Sequence, residues 1–340
     1  MIKILYVINT GLVGGLQRHV LCLMESLKGI ADTAVVINTE IDPQLVPMFE
    51  NKGVKIYRLH GKSGHDWWIV GRFRKVLKDF KPDIIHAHGL PLFCLFYLCL
   101  FHRNIPVLHS IHTPSQKPSF GNLFIWKLLE WRVCYWLPVS SSTWEMFKKW
   151  HPKASGEVFF NPVRLGDFPK TKDFVGRKEV RFVVGMVGRN ADVKDWPSFH
   201  EVERLVKEQM PEVVFVNAGE TEVCDGRRAI STMDLFLMTS KSEQLPTAVL
   251  ECFALGTPVC GFLPEGGIKD ILVFSNGAVR GAFIEERDCG KLAQLVIDLL
   301  KNESRRRDMA DDGWRILNNH FAAEKLVPGK LMEIYRRFAK

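Results

Sequence analysis

Several things are missing from this 340-residue chain. Its eight cysteines include no C-x-x-C pair and no ligand-like cluster, which argues against a zinc ribbon, a dithiol redox site or a disulfide scaffold. Cys94, Cys99, Cys134, Cys252 and Cys260 lie in apolar stretches and read as buried thiols of a reducing cytosol. The longest apolar run, Leu90–Phe101, has about a dozen residues, short of the roughly 20 that cross a bilayer, and reads as a buried helix. The first residues, Met1–Ile8, read as a strand rather than a signal peptide. There is no internal repeat, no low-complexity tract, no G-x-G-x-x-G dinucleotide fingerprint and no recognisable nucleic-acid module. No D-x-D stands at a strand end, so no metal is expected in a phosphate site.

What is present suits two α/β domains. Nearly half of the residues are apolar, and the length exceeds a typical single core. Strand-like runs at Ile2–Ile8, Thr33–Ile37, Lys55–Arg58, Ile84–Ala87, Pro106–Ile111 and Tyr135–Val139 alternate with helical periodicity. The helices are expected over Leu16–Leu27, Trp68–Phe80, Leu90–Phe101, Leu123–Cys134 and Thr143–Trp150. The alternation restarts near residue 180. Strands are expected at Arg181–Val187, Val213–Ala218, Asp234–Met238 and Pro258–Gly261, and helices at Pro197–Gln209, Lys291–Lys301 and Glu303–Asn319. Such alternation predicts parallel sheets wrapped by helices, here two Rossmann-like domains facing a cleft, with ligands at the carboxyl ends of the strands. The expected division is 1–160, 161–322 and a C-terminal helix, 323–340, packing back on the first domain.

The most informative segment is 240–259, SKSEQLPTAVLECFALGTPV. Glu243 and Glu251 stand eight positions apart across a loop-to-helix transition. Pro246 fits the first turn of the helix, and Gly256 and Pro258 end it. Glu251 is then expected about two turns into that helix. A helix start attracts anions, and carboxylates accept hydrogen bonds from hydroxyls, so a nucleotide-sugar would satisfy both. Upstream, Thr10–Leu16 forms a glycine loop, with Gly14 and Gly15 before a helix. Gly188-Arg189 and Lys194 follow a buried strand, where a rigid fork of donors and a compact charge can grip a diphosphate from two sides. His86 and His88 end another strand on the same side. A metal there would need a third ligand, and none is evident nearby, so buried, hydrogen-bonded histidines are the better reading.

Charge is unevenly distributed. Residues 1–160 carry 19 Lys/Arg against 11 Asp/Glu, whereas residues 161–340 carry 27 of each. Trp67-Trp68 precede Arg72, Arg74, Lys75, Lys78 and Lys81, and Trp126 to Lys153 interleaves five tryptophans with basic residues. Such a face suits an anionic membrane surface or an anionic acceptor; solvated helix faces with tryptophan packed inward are the alternative.

Glu243-x7-Glu251 closely resembles the E-x7-E signature of the retaining GT-B glycosyltransferases of family 4, the group 1 type. The glycine loop, His86-x-His88, His112, the Arg189/Lys194 pair and Gly266-Gly267 follow the family's order over nearly the whole chain. The resemblance implies that Arg189 and Lys194 bind the diphosphate and stabilise it as a leaving group. It implies that Glu251 binds the ribose, that Glu243 and His112 contact the donor sugar, and that His86 and His88 border the acceptor. Gly14, Gly15, Gly188, Gln244, Leu245, Pro246 and Thr247 complete the expected donor site. The expected activity is metal-independent transfer from a nucleoside-diphosphate sugar, as co-substrate rather than cofactor, to a glycan or lipid-linked acceptor in cell-surface polysaccharide synthesis. A cytoplasmic protein, peripheral on the inner membrane face and binding no nucleic acid, is expected. A nucleotide-sugar epimerase on the same scaffold and a non-catalytic partner subunit are the alternatives. Three departures stand out: Gln17 replaces the family's Glu, Gln244 replaces its glycine, and 219–234 is shorter than usual, which leaves the nucleobase open.

Overall fold

The computed structural model describes residues 1–9, 15–39, 43, 45–62, 66–113, 123–168, 181–220 and 225–339. The chain forms two compact units, one of residues 1–162 together with 323–340, the other of residues 163–322.

The first unit alternates strictly. Its elements are β1 (Lys3–Ile8), α1 (Gly15–Ser26), β2 (Asp32–Ile37), α2 (Leu45–Glu50), β3 (Lys55–Arg58), α3 (Ile69–Phe80), β4 (Ile84–Ala87), α4 (Leu92–Phe101), β5 (Val107–Ile111), α5 (Leu123–Arg132), β6 (Val133–Pro138) and α6 (Ser141–Trp150). The strands pair in parallel in the order β3-β2-β1-β4-β5-β6. β1 is buried on both faces, as a parallel sheet covered on each side requires. Ile4, Tyr6 and Ile8 pack with Leu23 of α1 and Leu27 just after it on one face, whereas Leu5 and Val7 pack with Phe73, Val76 and Leu77 of α3 on the other. The strand order reverses between β1 and β4, which is where such a sheet opens a ligand-binding crevice at its carboxyl edge.

In the second unit come β7 (Val183–Val187), α7 (Trp196–Gln209), β8 (Val214–Ala218), α8 (Gly226–Thr232), β9 (Leu235–Met238), β10 (Ser242–Glu243), α9 (Thr247–Ala254), β11 (Val259–Phe262), β12 (Glu265–Gly266), α10 (Ile268–Leu272), β13 (Phe283–Ile284), α11 (Cys289–Lys301) and α12 (Glu303–Ile316). The main sheet runs β13-β11-β9-β7-β8, all parallel, so its order reverses between β7 and β9. After α12 the chain returns to the first unit as α13 (Ala323–Leu326) and α14 (Met332–Phe338). There Leu331, Ile334 and Tyr335 join the core of the β1 face.

Some expectations need correction. The helix expected over Leu123–Cys134 stops at Arg132, and Val133-Cys134 begin β6. Cys134 is accordingly only partly buried, and all seven described cysteines are free thiols. α2 is a helix that the periodicity did not predict. The last turn expected for α12 becomes a π-helical turn over Leu317–Phe321. α4 is not buried all round, since Leu100 and Phe101 are about two-thirds exposed, at 65% and 67%. Among the described residues no helix is long and apolar enough to cross a membrane.

Candidate functional site

The second unit gathers charge at its switch point. The buried apolar strand β7 delivers Gly188 and Arg189 to its carboxyl end. Gly188 leaves room for Lys194. A Cβ there would meet the Lys194 side chain at 2.8 Å, so the lysine lies across the bare backbone. Gly219, at φ +91°, closes over the Gly188 carbonyl where a Cβ would sit 2.6 Å from the oxygen. Lys194 ends a short 3-10 turn, Asp192–Lys194. That turn is fastened to the loop after β9, because Thr239 Oγ1 donates to the Lys194 carbonyl at 3.0 Å and the Lys241 amide to that of Val193 at 2.7 Å.

This fastening brings Lys194 to Glu243. The ammonium donates to Glu243 Oε1 at 2.6 Å, and Ser240 Oγ donates to the same oxygen at 2.8 Å. Both charged side chains are about four-fifths buried. The Glu243 backbone is held from the other side by the glycine pair. β10 pairs with β12, setting Glu243 opposite Gly266, and the Gly267 amide donates to the Glu243 carbonyl at 2.8 Å. Gly266 has φ +107°, and a Cβ would overlap that carbonyl at 2.1 Å, so only glycine fits.

Arg287 ties these loops together. Its guanidinium donates to the carbonyls of Thr239, at 2.6 Å, and Ser240, at 3.3 Å, and pairs with Asp195. Burial raises the Asp195 pKa, but Ser198 and Arg287 more than offset it and hold the carboxyl below its ordinary value. Arg189 is exposed, and its carbonyl accepts from Trp196 Nε1 at 3.3 Å, which fixes the backbone and leaves the guanidinium free to extend.

Glu251 is the fifth residue of α9, just over one turn in rather than the two expected, because Pro246 caps the helix from outside instead of entering it. Its Oε1 accepts from Arg227 Nε at 3.0 Å. Arg227 stands on α8, also approaches Asp167 at 3.6 Å, and lies 4.6 Å over the Phe168 ring. Gln244 is half-buried, Leu245 and Pro246 are buried, and Thr247 opens α9. Sequence reasoning singled out neither Arg227, Ser240 nor Arg287. Arg227 and Arg287 act through contacts distant in the chain, with no local signature, whereas Ser240 reaches Glu243 from only three residues away.

In the first unit the expected glycine loop, Gly14 included, lies outside the described residues; Gly15 begins α1. His86 is the hydrogen-bonded histidine anticipated. Its Nδ1 meets the Tyr335 hydroxyl at 2.6 Å and its Nε2 the Ser110 hydroxyl at 2.9 Å. His88 differs. It meets His112 at 2.8 Å, Nδ1 to Nε2, while its Nε2 is buried without a hydrogen bond. A third imidazole that the sequence did not reveal, His19 of α1, stands 5.3 Å from His88 and 5.1 Å from His112 by ring centroids. The expectation that no third ligand lies near His88 is therefore corrected: His19, His88 and His112 have ligand atoms all within 4.8 Å of one another. Burial holds His19, His86 and His88 well below the ordinary histidine value and lowers His112 to about 3, so the group is neutral at pH 7.

The surface of this unit is mixed. Trp67 and Trp68 stack at 3.8 Å and are exposed, as are Phe124, Trp131 and Trp150, while Trp136 is buried. Arg72, Arg74, Lys75 and Lys78 are exposed on α3 beside the tryptophan pair.

Residues 13–164 match the family model described as Glycosyltransferase Family 4, and residues 187–314 match that of Glycosyl transferases group 1. Together the two span most of the chain, which belongs to the family 4, group 1 glycosyltransferases. N-acetyl-alpha-D-glucosaminyl L-malate synthase of Bacillus anthracis is 30% identical over 135 residues, 40% of this chain and 34% of its own length. The lipopolysaccharide core biosynthesis glycosyltransferase LpsE of Rhizobium meliloti is 27% identical over 107 residues, 32% of this chain and 30% of its own. The chain thus spans about a third of the length of the curated relatives it matches. The structure of Anabaena Alr3699/HepE in complex with UDP and glucose aligns over 99% of this chain and 100% of its own with a TM-score of 0.76 at 15% identity, which shows a shared GT-B fold.

Proposed function

We propose that this protein is a retaining, metal-independent glycosyltransferase of the hexosyltransferase type. It would move a sugar from a nucleoside-diphosphate sugar to a hydroxyl of a glycan or lipid-linked acceptor in cell-surface polysaccharide synthesis. The observation that carries the reading is the Lys194–Glu243 contact at the β7/β9 switch point, with Arg189 beside it and Glu251 on the following helix. In the reaction the C1–O bond of the donor breaks and its electron pair leaves with the diphosphate. Lys194 and Arg189 offset that charge as it develops, the role that a metal ion plays in other sites. The acceptor hydroxyl attacks C1 on the face the diphosphate leaves, and its proton passes to the departing phosphate. Glu243 and His112 hold the donor sugar, Glu251 holds the ribose, and His86 and His88 belong to the acceptor side.

The relatives support this reading. The Anabaena structure holds UDP and glucose, the Bacillus protein is named as an N-acetyl-alpha-D-glucosaminyl L-malate synthase, and the Rhizobium protein is named for lipopolysaccharide core biosynthesis. The exposed tryptophan and arginine/lysine face of the first unit suits peripheral contact with the inner, anionic face of a cytoplasmic membrane. The test is incubation with a panel of UDP-, GDP- and ADP-sugars, with and without EDTA, following nucleotide release and the anomer of the product. Slow donor hydrolysis indifferent to EDTA, with α-linked product from an α-donor, is expected. Donor epimerisation, or no turnover of any donor, would overturn the assignment.

A further inference from the structure

We propose that His19, His88 and His112 form a binding site for one divalent transition-metal ion of the zinc class, at the carboxyl edge of the first unit's sheet. The three arise from three elements that meet at the switch point: His19 from the helix after β1, His88 from the end of β4 and His112 from the end of β5. Three imidazoles with a fourth position open are a common zinc donor set, and imidazole favours zinc, copper, nickel and cobalt over magnesium or calcium.

Two features argue for a ligand rather than plain packing. His19 is 6% exposed and neither of its ring nitrogens makes a hydrogen bond; His88 is 5% exposed and its Nε2 makes none. Buried polar atoms normally find partners, and three such nitrogens in one cluster are costly to leave empty-handed. His86 supplies the contrast. It lies 4.4 Å from His88, ring to ring, yet both of its nitrogens are satisfied by Tyr335 and Ser110, so it braces the cluster instead of joining it.

The geometry needs only small changes. Tetrahedral ligation at about 2.0–2.1 Å puts ligand nitrogens roughly 3.3 Å apart. The ligand atoms here lie within 4.8 Å of one another, so the widest separation has to close by at most about 1.5 Å.

The site uses neither Arg189 nor Lys194, but it shares His88 and His112 with the sugar and acceptor contacts proposed above. A bound zinc would compete with those contacts instead of serving the transfer, and the test of the site needs no activity measurement. The full-length protein, stripped with a chelator, is titrated with zinc chloride by calorimetry and with cobalt(II) by visible absorption. One zinc per chain is expected, with Kd of about 10 µM or tighter, and cobalt should give the intense bands of a four-coordinate nitrogen site. His19→Gln and His88→Gln should each weaken zinc at least ~10-fold while leaving the metal-free circular dichroism spectrum unchanged. A stoichiometry below one in the wild-type protein, pale six-coordinate cobalt spectra, or equal zinc affinity in folded His19→Gln would each overturn the proposal. The first two readouts need no variant, so a misfolded variant would not shield it.

Discussion

Glu243→Gln separates the sugar from the nucleotide, and the geometry around Glu243 gives each effect a size. Glu243 Oε1 takes the Lys194 ammonium at 2.6 Å, a pair about four-fifths buried. Gln keeps the shape and the ability to meet Ser240 but loses the charge. Lys194 is then released, and a phosphate no longer competes with a carboxylate for it. A pair still in contact with solvent is worth about 1 kcal/mol, so free nucleoside diphosphate should bind unchanged or up to ~5-fold tighter. The sugar hydroxyl, by contrast, loses a charged acceptor, and hydrogen bonds to charged groups are worth about 1.5–3 kcal/mol. The nucleoside-diphosphate sugar should therefore bind ~10- to 150-fold more weakly. Calorimetric titration with UDP and UDP-glucose, and with the guanosine pair if those do not bind, measures both affinities. Equal losses for the two ligands would place Glu243 away from the sugar and refute the reasoning.

Arg189→Ala and Lys194→Ala should each lower kcat/KM by roughly 100-fold through lost charge-assisted phosphate contacts, with little change in thermal stability; steady-state kinetics and a melting curve check both. Arg227→Ala should weaken UDP and UDP-sugar alike by about 5-fold, leaving kcat unchanged, if Arg227 orients Glu251 toward the ribose as proposed and contacts no reacting atom; a fall in kcat would contradict that. Asp312→Asn should destabilise the second unit by about 2 kcal/mol in urea titrations, since this carboxylate receives Ser275 Oγ, two backbone amides and Arg315. Burial raises the Asp312 pKa, but those donors outweigh it and the folded value is lowered, so its contribution is present above the usual carboxylate range and is lost as pH falls through the folded value. Replacing Arg72, Arg74, Lys75 and Lys78 with Gln should reduce binding to vesicles rich in anionic lipid, by about 1 kcal/mol per charge at low salt, and leave donor hydrolysis intact; indifference of the wild type to such vesicles would remove the membrane from the picture.

The parts legible in the sequence share one physical property: their signal is local. A buried β-branched run, a glycine at its end and an amphipathic helix after it announce a strand, a turn and a ligand edge within about twenty residues, so β1, β4, β7 and α9 lie within two residues of their expected bounds. The misses are of two kinds. At Val133-Cys134 an apolar run is compatible with either period, and pairing beside β5 decides for strand. α2 has only six residues, with Pro47 in its first turn, too short to show a period at all. His19 was missed for the other reason. On α1 it reads as one more position of a helix, and only the parallel order of β1, β4 and β5 carries it to His88 and His112.

Arg227 shows the same limit from the donor side, and it bears on what the short 219–234 stretch does. Among its described residues, the crossover from β8 to β9 holds one helix of seven residues, α8. Asp225 caps it, its side chain accepting from the Arg227 amide, so the arginine leaves from a fixed helix start. The guanidinium then finds the Phe168 face on one side and Asp167 and Glu251 on others. A cation held on three sides is not readily expelled by a neutral ribose. It occupies only Oε1 of Glu251, and a carboxylate carries two acceptor oxygens. Arg227 and a ribose hydroxyl can therefore share Glu251. If Glu251 holds the ribose, as proposed, this crossover supplies a cation at that carboxylate, and Arg227 orients the acceptor it touches instead of blocking it.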